Sequence, residues 1–88
     1  MAWTIEYTAT ALNQLQKLDK QAAHRILAYM SNRVARLTQP RDMGKSLTGP
    51  LARLWRYRVG DYRVICDIQT SALRVLVIRV ARRDKAYR

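Results

Sequence analysis

The apolar positions of this chain change period partway along it. Residues 2–7, Ala-Trp-Thr-Ile-Glu-Tyr, partly alternate and are rich in aromatic and β-branched types, which predicts a short strand. Leu12, Leu15 and Leu18 then recur at helical spacing behind Thr8 or Thr10, either of which is a suitable N-cap. Asp19 caps a second predicted helix, whose apolar stripe runs Ala23, Ile26/Leu27, Met30, Val34 and Leu37 before stopping near Pro40. Two helices joined by almost no linker form an αα-hairpin.

Residues 39–53 hold Pro40, Gly44, Gly49 and Pro50, the chemistry of a loop, and a loop this long in a small domain is often functional. Beyond it the period falls to two. Leu54 to Val59 and parts of Tyr62 to Ile68 alternate, while Leu73 to Val80 is almost continuously apolar, as in strands covered on both faces. Gly60-Asp61 reads as a two-residue hairpin turn and Gln69 to Ala72 as the next reversal. The predicted order is β-α-α-β-β-β over a single domain, residues 1–88. The fold class is α+β, a mostly antiparallel twisted sheet with the helical hairpin packed on one face and the other face free for function.

Register makes the hairpin informative. If Gly60-Asp61 is the whole loop, Val59 faces Tyr62, Arg58 faces Arg63, Tyr57 faces Val64 and Arg56 faces Ile65. Alternation then sends Arg56, Arg58 and Arg63 to one side and Trp55, Tyr57 and Val59 to the other. Like charges directly opposite each other destabilise a sheet. An anion seated between Arg58 and Arg63 accounts for the pair; so do guanidiniums spreading apart into water, or a bulge that shifts the register.

Charge extends that picture. The 88 residues carry 17 Lys plus Arg against 6 acidic residues, a formal +11, and 49% are hydrophobic, ordinary for a folded domain. Residues 1–44 hold +3 of this and residues 45–88 hold +8. Thirteen of the basic residues are arginine, whose planar fork suits phosphate and stacks on flat rings, so a polyanionic partner is expected. The single cysteine, Cys66, excludes an internal disulfide and reads as a buried thiol. The single histidine, His24, falls in the second helix and is given no role, and Arg25, Arg33 and Arg36 read as a solvated helix face able to touch a partner. No apolar run approaches transmembrane length and no leader pattern opens the chain, so a soluble cytoplasmic protein without membrane partners is expected.

The terminal run from Val80 to Arg88 sets Tyr87 among the cations Arg82, Arg83, Lys85 and Arg88. A flat ring beside guanidiniums is how single-stranded RNA is stacked and neutralised, and Lys45 and Arg53 extend the same basic surface. Cleaving RNA by attack of a ribose 2′-OH on the adjacent phosphate needs a proton acceptor, cations for the developing charge, and a donor for the leaving oxygen. Guanidiniums supply the cations but hold their protons, so Tyr87, with its phenol pKa lowered by nearby positive charge, is the best available base. With one glutamate and scattered aspartates, no metal site and no cofactor are expected.

The segment LWRYRVGDYRVICDI from Leu54 to Ile68, the terminal RVARRDKAYR and the helix TATALNQLQKLDK together resemble the RelE branch of the RelE/ParE toxin superfamily over essentially the whole chain. The resemblance implies the RelE-like microbial ribonuclease fold and the toxin of a type II toxin–antitoxin pair. It implies a metal-independent endoribonuclease that cuts mRNA in the ribosomal A site, contacts ribosomal RNA, and is neutralised by a cognate RelB-like antitoxin. By position it assigns Arg63 to transition-state charge, Arg83 to proton donation and Tyr87 to stacking or activation, with Arg56 and Arg58 as the basic pair of the first hairpin strand. Arg58, Arg63, Arg83 and Tyr87 are thus the expected catalytic set, and Arg56, Lys45, Arg53, Arg82 and Arg88 the expected RNA contacts. The branch has lysine where this chain has Arg56 and Arg58, and often histidine at Arg82, which moves the base toward Tyr87. A ParE-like gyrase inhibitor acting by binding, and an RNA-binding module without catalysis, are the competing functions.

Overall fold

The computed structural model describes residues 2–83. Strand β1, Thr4–Tyr7, leads into helix α1, Ala9–Gln16, whose N-cap is Thr8: its hydroxyl oxygen accepts the Ala11 N–H at 3.1 Å. Helix α2, Lys20–Asn32, starts at Asp19, whose carboxylate accepts the Ala22 N–H at 2.7 Å. Both expected caps are present. The second helix is shorter than its apolar stripe, because the chain tightens into a 3₁₀ turn at Val34–Arg36 that still buries Val34. The stripes are also narrower than expected. Ala11 and Leu15, four residues apart on one ridge, are buried, while Leu12 is 47% exposed and Leu27 40% exposed.

A sheet follows in which β2 is Lys45–Ser46, β3 Trp55–Val59, β4 Tyr62–Gln69 and β5 Arg74–Arg82. The spatial order is β1-β5-β4-β3-β2, with β1 parallel to β5 and every other pair antiparallel. The two-residue β2 lies within the segment expected to be loop. Gly44 permits it: φ is +77°, and a methyl group there would overlap the Arg56 carbonyl oxygen, so only glycine lets β2 approach β3 this closely.

The core lies between the helices and the sheet. Ala11, Leu15, Ile26, Met30 and Val34 meet Tyr57, Val59, Val64, Cys66, Val75, Val77 and Val80. Three polar handles tie the long connection to this core: the Tyr57 hydroxyl donates to the Pro40 carbonyl at 2.7 Å, Trp55 Nε1 to Met43 at 2.7 Å, and Trp3 Nε1 to Thr38 at 3.3 Å. On the opposite face Leu47, Leu54 and Ile65 form a small second cluster with Ile78 against it, so the connection also covers part of the face expected to be open.

Candidate functional site

The β3–β4 hairpin has the register that its two-residue turn implies: Arg58 stands opposite Arg63, Tyr57 opposite Val64 and Arg56 opposite Ile65. Of the three accounts of the opposed arginines, a shifted register is therefore removed. Strand pairing extends the pattern into two rows on the face away from the helices. One runs Lys45, Arg56, Ile65, Arg79 across β2, β3, β4 and β5; the other runs Arg58, Arg63, Ala81.

Arg79 is the member that sequence patterning missed, and the reason is a β-bulge. Val75 and Val77 face the core, so strict alternation would drive Arg79 into it; the register shift between Ile65 and Cys66 instead pairs Cys66 with Val77 and Ile65 with Arg79. Val80 then returns to the core and the guanidinium turns out. Helix α1 holds this irregular stretch, since β1 pairs with β5 only as far as Val77. Beyond it the Thr8 hydroxyl donates to the Ile78 carbonyl at 3.0 Å, and the Gln14 side-chain oxygen accepts the Val80 N–H at 2.6 Å. An arginine at an inward position, between valines spaced two and then three apart, was the signal in the sequence.

The expected site residues are distributed unequally over this face. Arg63 is shared by two pockets: one of about 460 Å³ with Arg56 and residues 46–51, and one of about 410 Å³ with Asp61, Arg82 and Arg83. The Arg83 N–H donates to the Asp61 carbonyl at 2.8 Å, fastening the end of β5 to the hairpin turn. Arg56, Arg63, Arg82 and Arg83 are thereby brought along one surface, and Arg58 joins Arg56 and Lys45 around a third pocket beside Tyr29. Arg53 sits apart, its guanidinium 3.9 Å from the Asp67 carboxylate. Tyr87 and Arg88 lie outside the described residues.

Nothing acidic among the described residues offsets the centre of this surface at Arg56 and Arg58. The ion pairs Arg53–Asp67 and Arg74–Glu6 lie away from that centre, and Arg56 Nε is buried without a hydrogen-bond acceptor. Two arginines expected to form a solvated helix face are also drawn in. Arg25, whose guanidinium lies over Gly60, and Arg33, stacked 5.8 Å from the Tyr29 ring centroid, share a pocket of about 450 Å³ with Arg58.

Proton-transfer groups are scarce here. Burial raises the Tyr29 phenol, opposed by nearby Arg33, and it raises Tyr57 as well, which moves both away from service as bases near neutrality. Burial, and secondarily the Asp67 charge, pushes the Cys66 thiol up, so it is an inert core group. His24 is exposed on α2. Arginines dominate the face, with Asp61 at one recess and Ser46, Leu47, Thr48 and Leu51 at another.

Such a fold and face define a small basic α+β protein with a row of arginines on one side of its sheet. The sequence model of the family described as ParE toxin of type II toxin–antitoxin system, parDE, matches residues 5–87. Toxin RelE of Mycobacterium tuberculosis is 36% identical over 84 residues, spanning 96% of this chain and 84% of that protein. Toxin RelG of the same species is 30% identical over 88 residues, spanning 100% and 99%. A chain of the toxin–antitoxin complex RelBE2 from M. tuberculosis superposes with a TM-score of 0.86 at 28% identity, covering 94% of this chain and 93% of that one. The archaeal RelE–RelB complex from Pyrococcus horikoshii gives 0.73 at 26%, covering 98% and 100%. The isolated Escherichia coli RelE toxin has the same fold, with a TM-score of 0.71 at 16% identity over 92% of this chain and 84% of that one. The chain belongs to the RelE/ParE family and is a RelE-like toxin of a type II toxin–antitoxin system.

Proposed function

We propose that this toxin is an mRNA endonuclease that acts in the ribosomal A site and so stops translation in the cytoplasm. The observation that carries the reading is the directly opposed pair Arg58 and Arg63 on the open face, with Arg56 beside it in the strand and Arg83 fastened to the turn. Arg56 and Arg63 line one recess and Arg63 and Arg83 another, and repulsion within the opposed pair is relieved when an anion lies between its members.

In the chemistry that suits such a face, a ribose 2′-oxygen attacks the adjacent phosphorus and the bond to the 5′-oxygen breaks, leaving a 2′,3′-cyclic phosphate and a 5′-hydroxyl. Arg63 and Arg58 neutralise charge on the non-bridging oxygens as it develops, and Arg83 hydrogen-bonds the leaving 5′-oxygen, which takes its proton from water. Tyr87 takes the 2′-proton. Arg56, Lys45 and Arg82 hold flanking phosphates of mRNA or ribosomal RNA; Arg53 and Arg88 serve the periphery. A RelB-like antitoxin neutralises the toxin, as the complexes of its relatives with RelB suggest.

The test is to map mRNA 5′ ends after brief expression without antitoxin. Cuts within codons on translated mRNA are expected, lost in Arg63→Ala and Tyr87→Phe. Intact mRNA with ribosome association would leave a binding module. The family's description supports a second reading, a ParE-like inhibitor of DNA gyrase. Gyrase-linked DNA breaks that persist in Tyr87→Phe would establish it in place of the first.

A further inference from the structure

The connection between α2 and β3 lines a recess beside the opposed arginines. The pocket of about 460 Å³ has two chemically different walls. One is Arg56 and Arg63; the other is Ser46, Leu47, Thr48 and Leu51. Leu47 is packed with Leu54 and Ile65 and cannot give way, so the apolar floor is fixed. Leu51 is 45% exposed at the rim, an apolar side chain held in water by a 3₁₀ turn of Gly49–Leu51. The hydroxyls of Ser46 and Thr48 are exposed and engage no described residue. Arg56 Nε, on the facing wall, is buried without an acceptor.

An apolar floor, two free hydroxyls and two guanidiniums match one kind of ligand: a flat ring with a polar edge, joined to phosphate. A purely acidic stretch of peptide would satisfy the guanidiniums and leave Leu51 in water, whereas a nucleotide satisfies both walls. The volume lies within the roughly 300–1,000 Å³ of small-ligand sites.

We propose that this pocket is a nucleobase subsite that sets the sequence preference of cleavage. One unstacked base of the RNA lies against Leu47 and Leu51, with its phosphate on Arg56 and Arg63. Ser46 and Thr48, which can each donate and accept, read its edge. The inference rests on the endonuclease reading above and adds to it which residues choose the base.

The experiment compares the native chain with Leu51→Ser and with Ser46→Ala/Thr48→Ala, full length, on translating ribosomes in vitro, by mapping 5′ ends and measuring rate against ribosome concentration. All three positions are at the surface, and a thermal melt of each variant confirms folding. Leu51→Ser should raise the half-saturating ribosome concentration about tenfold with the maximal rate retained, since an apolar contact of this size is worth about 10–200-fold. The double variant should flatten the base composition beside the cut. No cuts by the native chain would remove the endonuclease reading and this inference with it. Native cuts whose base composition and concentration dependence are unchanged in both variants would overturn the inference alone. So would variants that weaken antitoxin binding while leaving cleavage as it was.

Discussion

Replacing Arg58 by glutamine should make the free toxin more stable and less active, and the size of the first effect follows from the strand register. Arg58 stands directly opposite Arg63. Side chains so placed have Cβ atoms about 5 Å apart, and a separation of about 7 Å is the scale for their charged ends. In water-like surroundings two unit charges at that distance repel by about 0.6 kcal/mol. At about 10 mM salt screening leaves about 0.5 kcal/mol, and at about 1 M it leaves less than 0.1 kcal/mol. For a chain of 88 residues the relief in Arg58→Gln is a Tm about 2–4 °C higher at low salt, shrinking to about zero at 1 M. Glutamine keeps part of the aliphatic stem, so packing changes little. Cleavage should fall about 100-fold, the scale for losing one positioned donor at a developing oxyanion. The assay is differential scanning calorimetry at the two salt concentrations beside single-turnover cleavage on programmed ribosomes. A variant equal to or below the native chain in Tm at low salt, or a gain that salt leaves untouched, would refute the idea that the face stores repulsion for an anion.

Tyr57→Phe removes the buried hydrogen bond to the Pro40 carbonyl and leaves that oxygen unsatisfied; urea melts should show a loss of about 1–2 kcal/mol. Gly44→Ala forces a methyl against the Arg56 carbonyl at a φ of +77°, so it should destabilise by about 1–3 kcal/mol, and exchange of the β2 amides should speed up more than that of β4. Stability should also fall in alkali. The Cys66 thiol is raised above its ordinary 9.0 by burial, and Tyr7 is raised from 10.0 to about 12 by burial and by Cys66. Both groups ionise first in the unfolded chain, so their contribution is whole below pH 9 and is lost as pH rises beyond it. Thermal melts should be level from neutrality to about pH 8.5 and decline above 9, and Cys66→Val should delay the onset of that decline.

Much of the scaffold was legible because it depends on local chemistry. Thr8 and Asp19 cap helices through their own nearest amides, and Gly60-Asp61 closes a hairpin whose register follows from the turn alone. That register already placed Arg56, Arg58 and Arg63 on one face. Leu12 and Leu27 were misjudged because helical spacing marks a stripe, whereas the width buried depends on how the helix seats on the sheet.

What the chain determined by itself was therefore its caps, its turn, its alternation and the sign of its charge, all set within a few residues. Tertiary structure decided the rest. It fixed the parallel pairing of β1 with β5, the short β2 that brings Lys45 beside Arg56, and the bulge that turns Arg79 outward. Each depends on partners far apart in sequence: Thr8 and Gln14 on β5, Gly44 against the Arg56 backbone, Tyr57 on Pro40. Alternation cannot anticipate such contacts, because the hydrogen bonds that make a bulge or a two-residue strand favourable come from elements that meet only in the folded chain.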